Sequence, residues 1–194
     1  EIEAVVYPPV EPTEEFFEIL PLVSGELESY QRGRGNDLYG IRDYQFNESA
    51  RHVDWKASAR TGALQVREYA REDERRVLLA FDPYLSAASQ DDPQFERGVA
   101  LCAGLAWHFY EINSVLEFRS AGFATPRVLA GEIIYDILTH LAGVTPLKQQ
   151  PGKSFLDSLE DAPDIFKIVL TSEARGTIPT GLWNTSYFVF LSSI

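Results

Sequence analysis

Four short apolar runs in the second half of the chain most constrain its fold. Each is rich in β-branched and aromatic residues and lacks the strict polar–apolar alternation of a strand with one solvated face. Strands of this kind are covered on both faces, as in the centre of a parallel sheet. The four runs therefore predict a parallel core sheet. They are RVLLAFD (76–82), SVLEFRS (114–120), IFKIVLTS (165–172) and SYFVFLSS (186–193).

Two amphipathic helices are predicted between these strands. The first begins at Asp92 and Pro93, which suit the N-cap and the first helical position, and its apolar stripe includes Phe95, Val99 and Cys102. The second spans 132–143 and ends at Gly143. Strands that alternate with helices predict an α/β domain over residues 76–194. We expect a doubly wound, mostly parallel sheet with helices on both faces.

The first 75 residues predict less regular structure. Residues 1–12 are interpreted as the end of an upstream β region, because the prolines at 8, 9 and 12 cannot continue a strand ladder. Thr13 followed by EEFFEIL predicts a short capped helix, and residues 13–75 otherwise predict an irregular segment rich in Arg and Trp. The chain begins at Glu1 and contains no Met, so we interpret it as an excerpt of a longer protein.

Composition excludes several classes of partner and site. The 194 residues carry a formal charge of −12, which disfavours nucleic acid because that partner requires a basic face. Cys102 is the only cysteine, so neither a disulfide nor a thiolate metal site is expected, and its place on a helix stripe predicts an inert buried thiol. No apolar run approaches the length of a membrane-spanning helix.

A first candidate site lies where the strands end. In open α/β sheets, ligands bind beyond the carboxyl ends of the strands. Asp82 ends the first run, Ser86 follows it by four residues, and Glu173 follows the third run. Their oxygens would suit a hard cation such as Mg²⁺, with a metal-activated water as one chemical use. The alternative is that Asp82 only caps the following turn.

A second candidate region is the segment 42–76, which holds 8 basic and 7 acidic side chains in an otherwise acidic chain. Tyr44 and Trp55 offer flat faces on which guanidinium groups can stack. Two roles remain open: an arginine–carboxylate scaffold that ties irregular chain to the sheet, or a docking surface for a partner. The candidate residues are Arg42, Tyr44, Arg51, Asp54, Trp55, Lys56, Arg60, Arg67 and Glu68.

The stretch IRDYQFNESARHVDWKASARTGALQVREYAREDERRVLLAFD resembles the signature of domain of unknown function family 58. The resemblance implies a von Willebrand factor A-like domain with a metal-ion-dependent adhesion site, and a MoxR-type AAA+ ATPase as partner in the assembly or maturation of other bacterial proteins. It also implies upstream membrane-spanning helices and a place on the cytoplasmic side of the membrane. Tyr84 stands where the adhesion site has its first serine, so we expect a degenerate site at Asp82, Ser86 and Glu173 without a bound metal or other cofactor.

The expected function is therefore a non-enzymatic protein–protein interaction or adaptor domain. Two alternatives belong to other classes. One is a Mg²⁺-dependent hydrolase that uses Asp82, Ser86 and Glu173. The other is a structural appendage of a membrane protein with no partner of its own.

Overall fold

The structure is a computed structural model, and it describes residues 4–34, 38–44, 53–69, 76–85, 92–148 and 154–194. The chain divides into two compact units, one of Glu1–Leu27 with Arg75–Ile194 and one of Glu28–Glu74. In chain order the helices and strands are α1 (Glu14–Arg34), β1 (Leu38–Asp43), α2 (Trp55–Thr61), β2 (Gln65–Tyr69), β3 (Arg76–Phe81), β4 (Tyr84–Leu85), α3 (Pro93–Glu111), β5 (Val115–Ser120), β6 (Phe123–Ala124), β7 (Val128–Leu129), α4 (Ala130–Gly143), β8 (Leu147–Lys148), β9 (Phe166–Thr171) and β10 (Ser186–Phe190).

The first unit is built on a mostly parallel sheet. Its four main strands lie in the order β10-β9-β3-β5, and all three of these pairings are parallel. The short strands β6 and β7 pair antiparallel with β5, and β4 pairs with β8 in a separate two-stranded sheet. The four main strands are the four apolar runs of the sequence. The predicted α/β class and parallel core are confirmed.

Helices α3 and α4 cover one face of this sheet. Asp92 caps α3 as predicted, because its side chain accepts a hydrogen bond of 2.9 Å from the Gln94 backbone N–H. The Phe95 ring of α3 lies 5.4 Å from the Phe81 ring of β3, and His140 of α4 lies 5.9 Å from Phe118 of β5. The β3–β5 register pairs Leu79 with Phe118, so Phe81 and Phe118 project from the same face.

The opposite face is covered differently from the prediction. There the β3 side chains Leu78 and Ala80 pack in one buried cluster with Leu156, Leu159 and Leu182. The last three come from short 3₁₀ turns at Phe155–Leu159 and Thr180–Leu182. Helices on both faces were predicted, but in the part of the chain that the structure describes the α-helices over the sheet lie on one face. Proline and glycine interrupt the connections around β9 too often for an α-helix.

The N-terminal residues also differ from the prediction. Residues 4–13 contain no strand, and α1 continues for 21 residues instead of ending after EEFFEIL. Thr13 begins the helix as expected, since its hydroxyl accepts a hydrogen bond of 3.3 Å from the Phe16 N–H. Phe16, Val23 and Leu27 are buried on one side of α1. This packing stabilises the helix in spite of Pro21 in its interior.

The second unit contains a hairpin-like pair of strands and a short helix. β1 pairs antiparallel with β2, with Arg42 opposite Val66 and Ile41 opposite Arg67. Helix α2 lies between these strands in the sequence. The segment predicted as irregular therefore contains regular elements in its described parts. No described helix has the length and apolar character that a bilayer crossing requires.

Candidate functional site

Asp82 and Thr171 lie at the point where the strand order of the sheet reverses. From β3 the chain passes through α3 to β5 on one side, whereas β9 lies on the other side of β3. The carboxyl ends of β3 and β9 therefore meet at a topological switch point, the usual ligand position in such sheets. Asp82 follows β3 directly, and Thr171 is the last residue of β9.

Asp82 is fully buried and holds its carboxylate in two hydrogen bonds. One oxygen, Oδ2, accepts a bond of 2.7 Å from the Thr171 hydroxyl, and Oδ1 accepts one of 3.1 Å from the Tyr84 backbone N–H. The pKa of Asp82 is raised to about 6, mainly by burial and to a smaller extent by the charge of Glu173, while the two hydrogen bonds oppose the shift. Asp82 thus caps the turn that contains Tyr84, in agreement with the simpler of the two alternatives.

Glu173 extends the same network toward the 3₁₀ turns. Its backbone N–H donates to the Thr171 hydroxyl oxygen at 3.0 Å. Its carboxylate accepts a hydrogen bond of 2.5 Å from the Ser154 hydroxyl and one of 2.9 Å from the Thr177 hydroxyl. Glu173 therefore joins the end of β9 to the turns on both sides of it in sequence.

In the described residues, the side-chain oxygens of this network are hydrogen-bonded to one another. The Thr171 hydroxyl already donates to Asp82, and both Glu173 oxygens already accept hydroxyl donors. The described residues contain no group of three or more His, Cys, Asp or Glu side chains that could hold a metal ion. The structure brings Asp82 and Glu173 together through Thr171, and Ser86 lies outside the described residues.

Asp54 organises the second candidate region. It is the N-cap of α2, where its Oδ1 accepts hydrogen bonds of 2.9 Å and 3.0 Å from the backbone N–H groups of Lys56 and Ala57. The Ser58 hydroxyl donates to the Asp54 carbonyl and accepts from the Gln65 N–H, both at 2.8 Å. These bonds fix α2 to the start of β2. Asp54 has a structural role in this unit.

The other signature residues of α2 face solvent. Trp55 has 68% of its surface exposed, and Lys56 and Arg60 are also exposed. No side chain of the helix is buried. The structure thus shows these three side chains exposed, and both the scaffold and the docking interpretations stay predictions.

For the remaining signature residues the structure describes mainly the backbone. Tyr44 is half-buried, and its backbone N–H donates to the Leu64 carbonyl at 2.8 Å. Arg42, Arg67 and Glu68 lie in the backbone pairing of β1 with β2. Arg51 lies outside the described residues.

An ion-pair cluster on β5 escaped the sequence analysis. Glu117 is buried, and its two carboxylate oxygens pair with Arg119 at 2.7 Å and with Arg127 at 2.9 Å. Arg119 also reaches Asp161 at 2.6 Å. The two charged residues within the apolar run SVLEFRS were the available signal, because a buried strand tolerates charges only when they are paired.

Comparison with known proteins identifies one family. The model described as protein of unknown function DUF58 matches residues 40–149, which is more than half of the chain. The match includes β2, α2, β3 and both helices that cover the sheet. No curated protein and no solved structure matches the chain.

Proposed function

The chain belongs to the DUF58 family of proteins of unknown function, and we propose that it is a non-enzymatic interaction domain that binds partner proteins through α2. The observation that carries this proposal is that α2 presents Trp55, Lys56 and Arg60 while it buries none of its own side chains. Tryptophan and arginine are the residues most often found at the energetic centres of protein interfaces.

The energetics of α2 support a docking role. A seven-residue helix is marginal by itself, and most helices in proteins are stabilised by burying an apolar face. In α2 the Asp54 cap, the Ser58 bond to Gln65 and Gly62, which adopts a left-handed φ of 72° at the C-cap, supply stabilisation. The helix is thus held in place while its outer face stays available.

The hydrogen bonding at the switch point favours an interaction domain over a hydrolase. The Thr171 hydroxyl donates to Asp82, and the Ser154 and Thr177 hydroxyls donate to Glu173. These bonds hold the strand ends and turns together. We therefore assign no catalytic step to Asp82 or Glu173.

The identity of the partner rests on the resemblance described from the sequence. We propose a MoxR-type AAA+ ATPase, acting with this domain in the assembly or maturation of other proteins at the cytoplasmic side of a membrane. The strand order around β3, with its switch point beside β9, supports the accompanying proposal of a von Willebrand factor A-like fold.

The test is calorimetric titration of the purified chain with such an ATPase. Replacing Trp55 with alanine is expected to weaken binding by about 2 kcal/mol or more, roughly a 30-fold rise in Kd, as is typical of an interface anchor. Trp183→Ala is the matched control, because Trp183 is also partly exposed, at 43%, but belongs to the other unit. Equal Kd values for the wild type and both variants would contradict docking through α2.

A further inference from the structure

The exposed surface of α2 carries two basic side chains on one face and an aromatic side chain at its flank. Lys56 and Arg60 lie one helical turn apart, next to the exposed Trp55. The nearby Asp54 does not offset their charge on this face, because it is buried beneath the first turn as its cap. A lysine in the first turn opposes the helix dipole, and like charges four residues apart repel. Arg60 suits the last turn of the helix, but the stability of α2 explains neither Lys56 in its first turn nor the pairing of the two cations.

The exposed face of α1 has the complementary character. Glu14 and Glu18 lie one turn apart and are exposed, and Phe17 between them has 65% of its surface exposed. Leu22, one turn beyond Glu18, is 56% exposed. α1 already buries its opposite side, so packing within the chain does not account for these apolar side chains.

We propose that the outer face of α2 binds the outer face of α1 from a second copy of this chain. An antiparallel arrangement matches both surfaces and aligns the two helix dipoles favourably. Two helices of this length form a small contact, so the association is weak and reversible. The inference goes beyond the proposed function, since self-association would cover the docking face until a partner displaces it. The matched pairs are Glu14 with Arg60 and Glu18 with Lys56.

The test is sedimentation velocity of the purified chain over a range of concentrations. The wild type is expected to shift reversibly from monomer to a larger species. Reversing both cations, with Lys56→Glu and Arg60→Glu, is expected to lower the association constant about tenfold, because two attractions become repulsions. Reversing both acids, with Glu14→Lys and Glu18→Lys, should have the same effect. The variant that carries all four changes should recover to within about threefold of the wild type.

Helix α4 supplies a matched control. Glu132 and Asp136 form another exposed acidic pair one turn apart, beside the exposed Tyr135. The Tyr135 ring already contacts Tyr7 at 6.3 Å, so this aromatic group is partly engaged within the chain. Glu132→Lys with Asp136→Lys should leave the association constant unchanged, and circular dichroism checks that each variant is folded.

Three results would overturn the proposal. One is a wild-type chain that stays monomeric at every concentration. Another is a fourfold variant that associates no better than either double variant. The third is a loss of association in the α4 control as large as in the α1 variant.

Discussion

Replacing Asp82 with asparagine is expected to stabilise the protein at pH 8 and to have much less effect at pH 5. The reason is the burial of the carboxyl group, which raises its pKa in the folded state to about 6 from a reference of 3.8. Above pH 6 the difference corresponds to about 3 kcal/mol of lost stability. Asparagine removes this penalty but also weakens the bond with Thr171, at a cost of about 1 kcal/mol.

The sign of the pH dependence follows from the direction of the shift. The folded state holds the Asp82 proton more tightly than the unfolded state does. Its favourable contribution is therefore complete below the unfolded pKa of 3.8 and is lost as the pH rises through about 6. At pH 5 the penalty in the wild type is about half of its full value, roughly 1.6 kcal/mol. The advantage of the asparagine variant should thus grow by about 1.4 kcal/mol between pH 5 and pH 8.

Urea unfolding of both proteins at several pH values between 5 and 8 measures this difference directly. Titrating groups that do not interact with Asp82 contribute equally to both proteins and cancel in the comparison. Asp136→Asn is the control, because it removes one negative charge at an exposed position. An advantage of Asp82→Asn that stays constant from pH 5 to pH 8 would refute the reasoning, because it would mean that burial does not hold the proton.

Three further predictions concern packing, charge and thiol chemistry. Gly98→Ala should destabilise the fold by about 1–3 kcal/mol in thermal unfolding, because the new Cβ would lie 2.5 Å from the buried Leu191 side chain. Gly25→Ala is the comparison: its Cβ meets no atom within 4 Å, so it should stabilise α1 by up to about 1 kcal/mol. Glu117→Gln should cost about 1–2 kcal/mol in urea unfolding, because two partly exposed arginines lose their shared carboxylate. The Cys102 thiol, whose pKa burial raises, should react with a thiol reagent only at the rate of unfolding; rapid reaction under native conditions would contradict its burial.

The parallel sheet could be predicted because each of its strands carries its own signal. An apolar run of six or more residues needs no knowledge of its neighbours to indicate a strand covered on both faces. The signals that predicted helix α3 were equally local, since Asp92 and Pro93 mark its start and the apolar stripe marks its buried side. The length of α1 could not be predicted from local sequence signals. Pro21 and Gly25 are helix breakers, and only the packing of Val23 and its buried neighbours outweighs them.

The second face of the sheet escaped prediction for a related reason. The buried residues Leu156 and Leu159 are three positions apart in a turn of five residues, too short a segment for a helical period to be recognised. Leu182 ends an even shorter turn, Thr180–Leu182. In these segments the sheet below, and not the local pattern, determines which side chains are buried.

In the candidate sites as well, residues that follow strands could be predicted to lie together, whereas contacts between distant segments could not. Asp82 and Glu173 could be predicted to lie together because both follow strands of one parallel sheet. The Ser154 partner of Glu173 lies 19 residues away in a loop, and the Asp161 partner of Arg119 lies 42 residues away. Pairings at such separations depend on the finished fold. The exposure of Trp55 could not be predicted, because its neighbouring arginines in the sequence suggest stacking and the surface of an indole depends on the finished fold.

The organisation of α2 predicts that its exposed side chains can be altered without unfolding the helix. The hydrogen bonds described for it arise within residues 54–65: Asp54 caps the helix and accepts its first N–H groups, Ser58 binds Gln65, and Gly62 ends the last turn. Trp55, Lys56 and Arg60 take part in none of them through their side chains. Substitutions at these three positions therefore change what α2 presents and leave its support in place. Asp54→Ala should act in the opposite way, because loss of the cap costs about 1 kcal/mol and destabilises the helix that carries the proposed docking face.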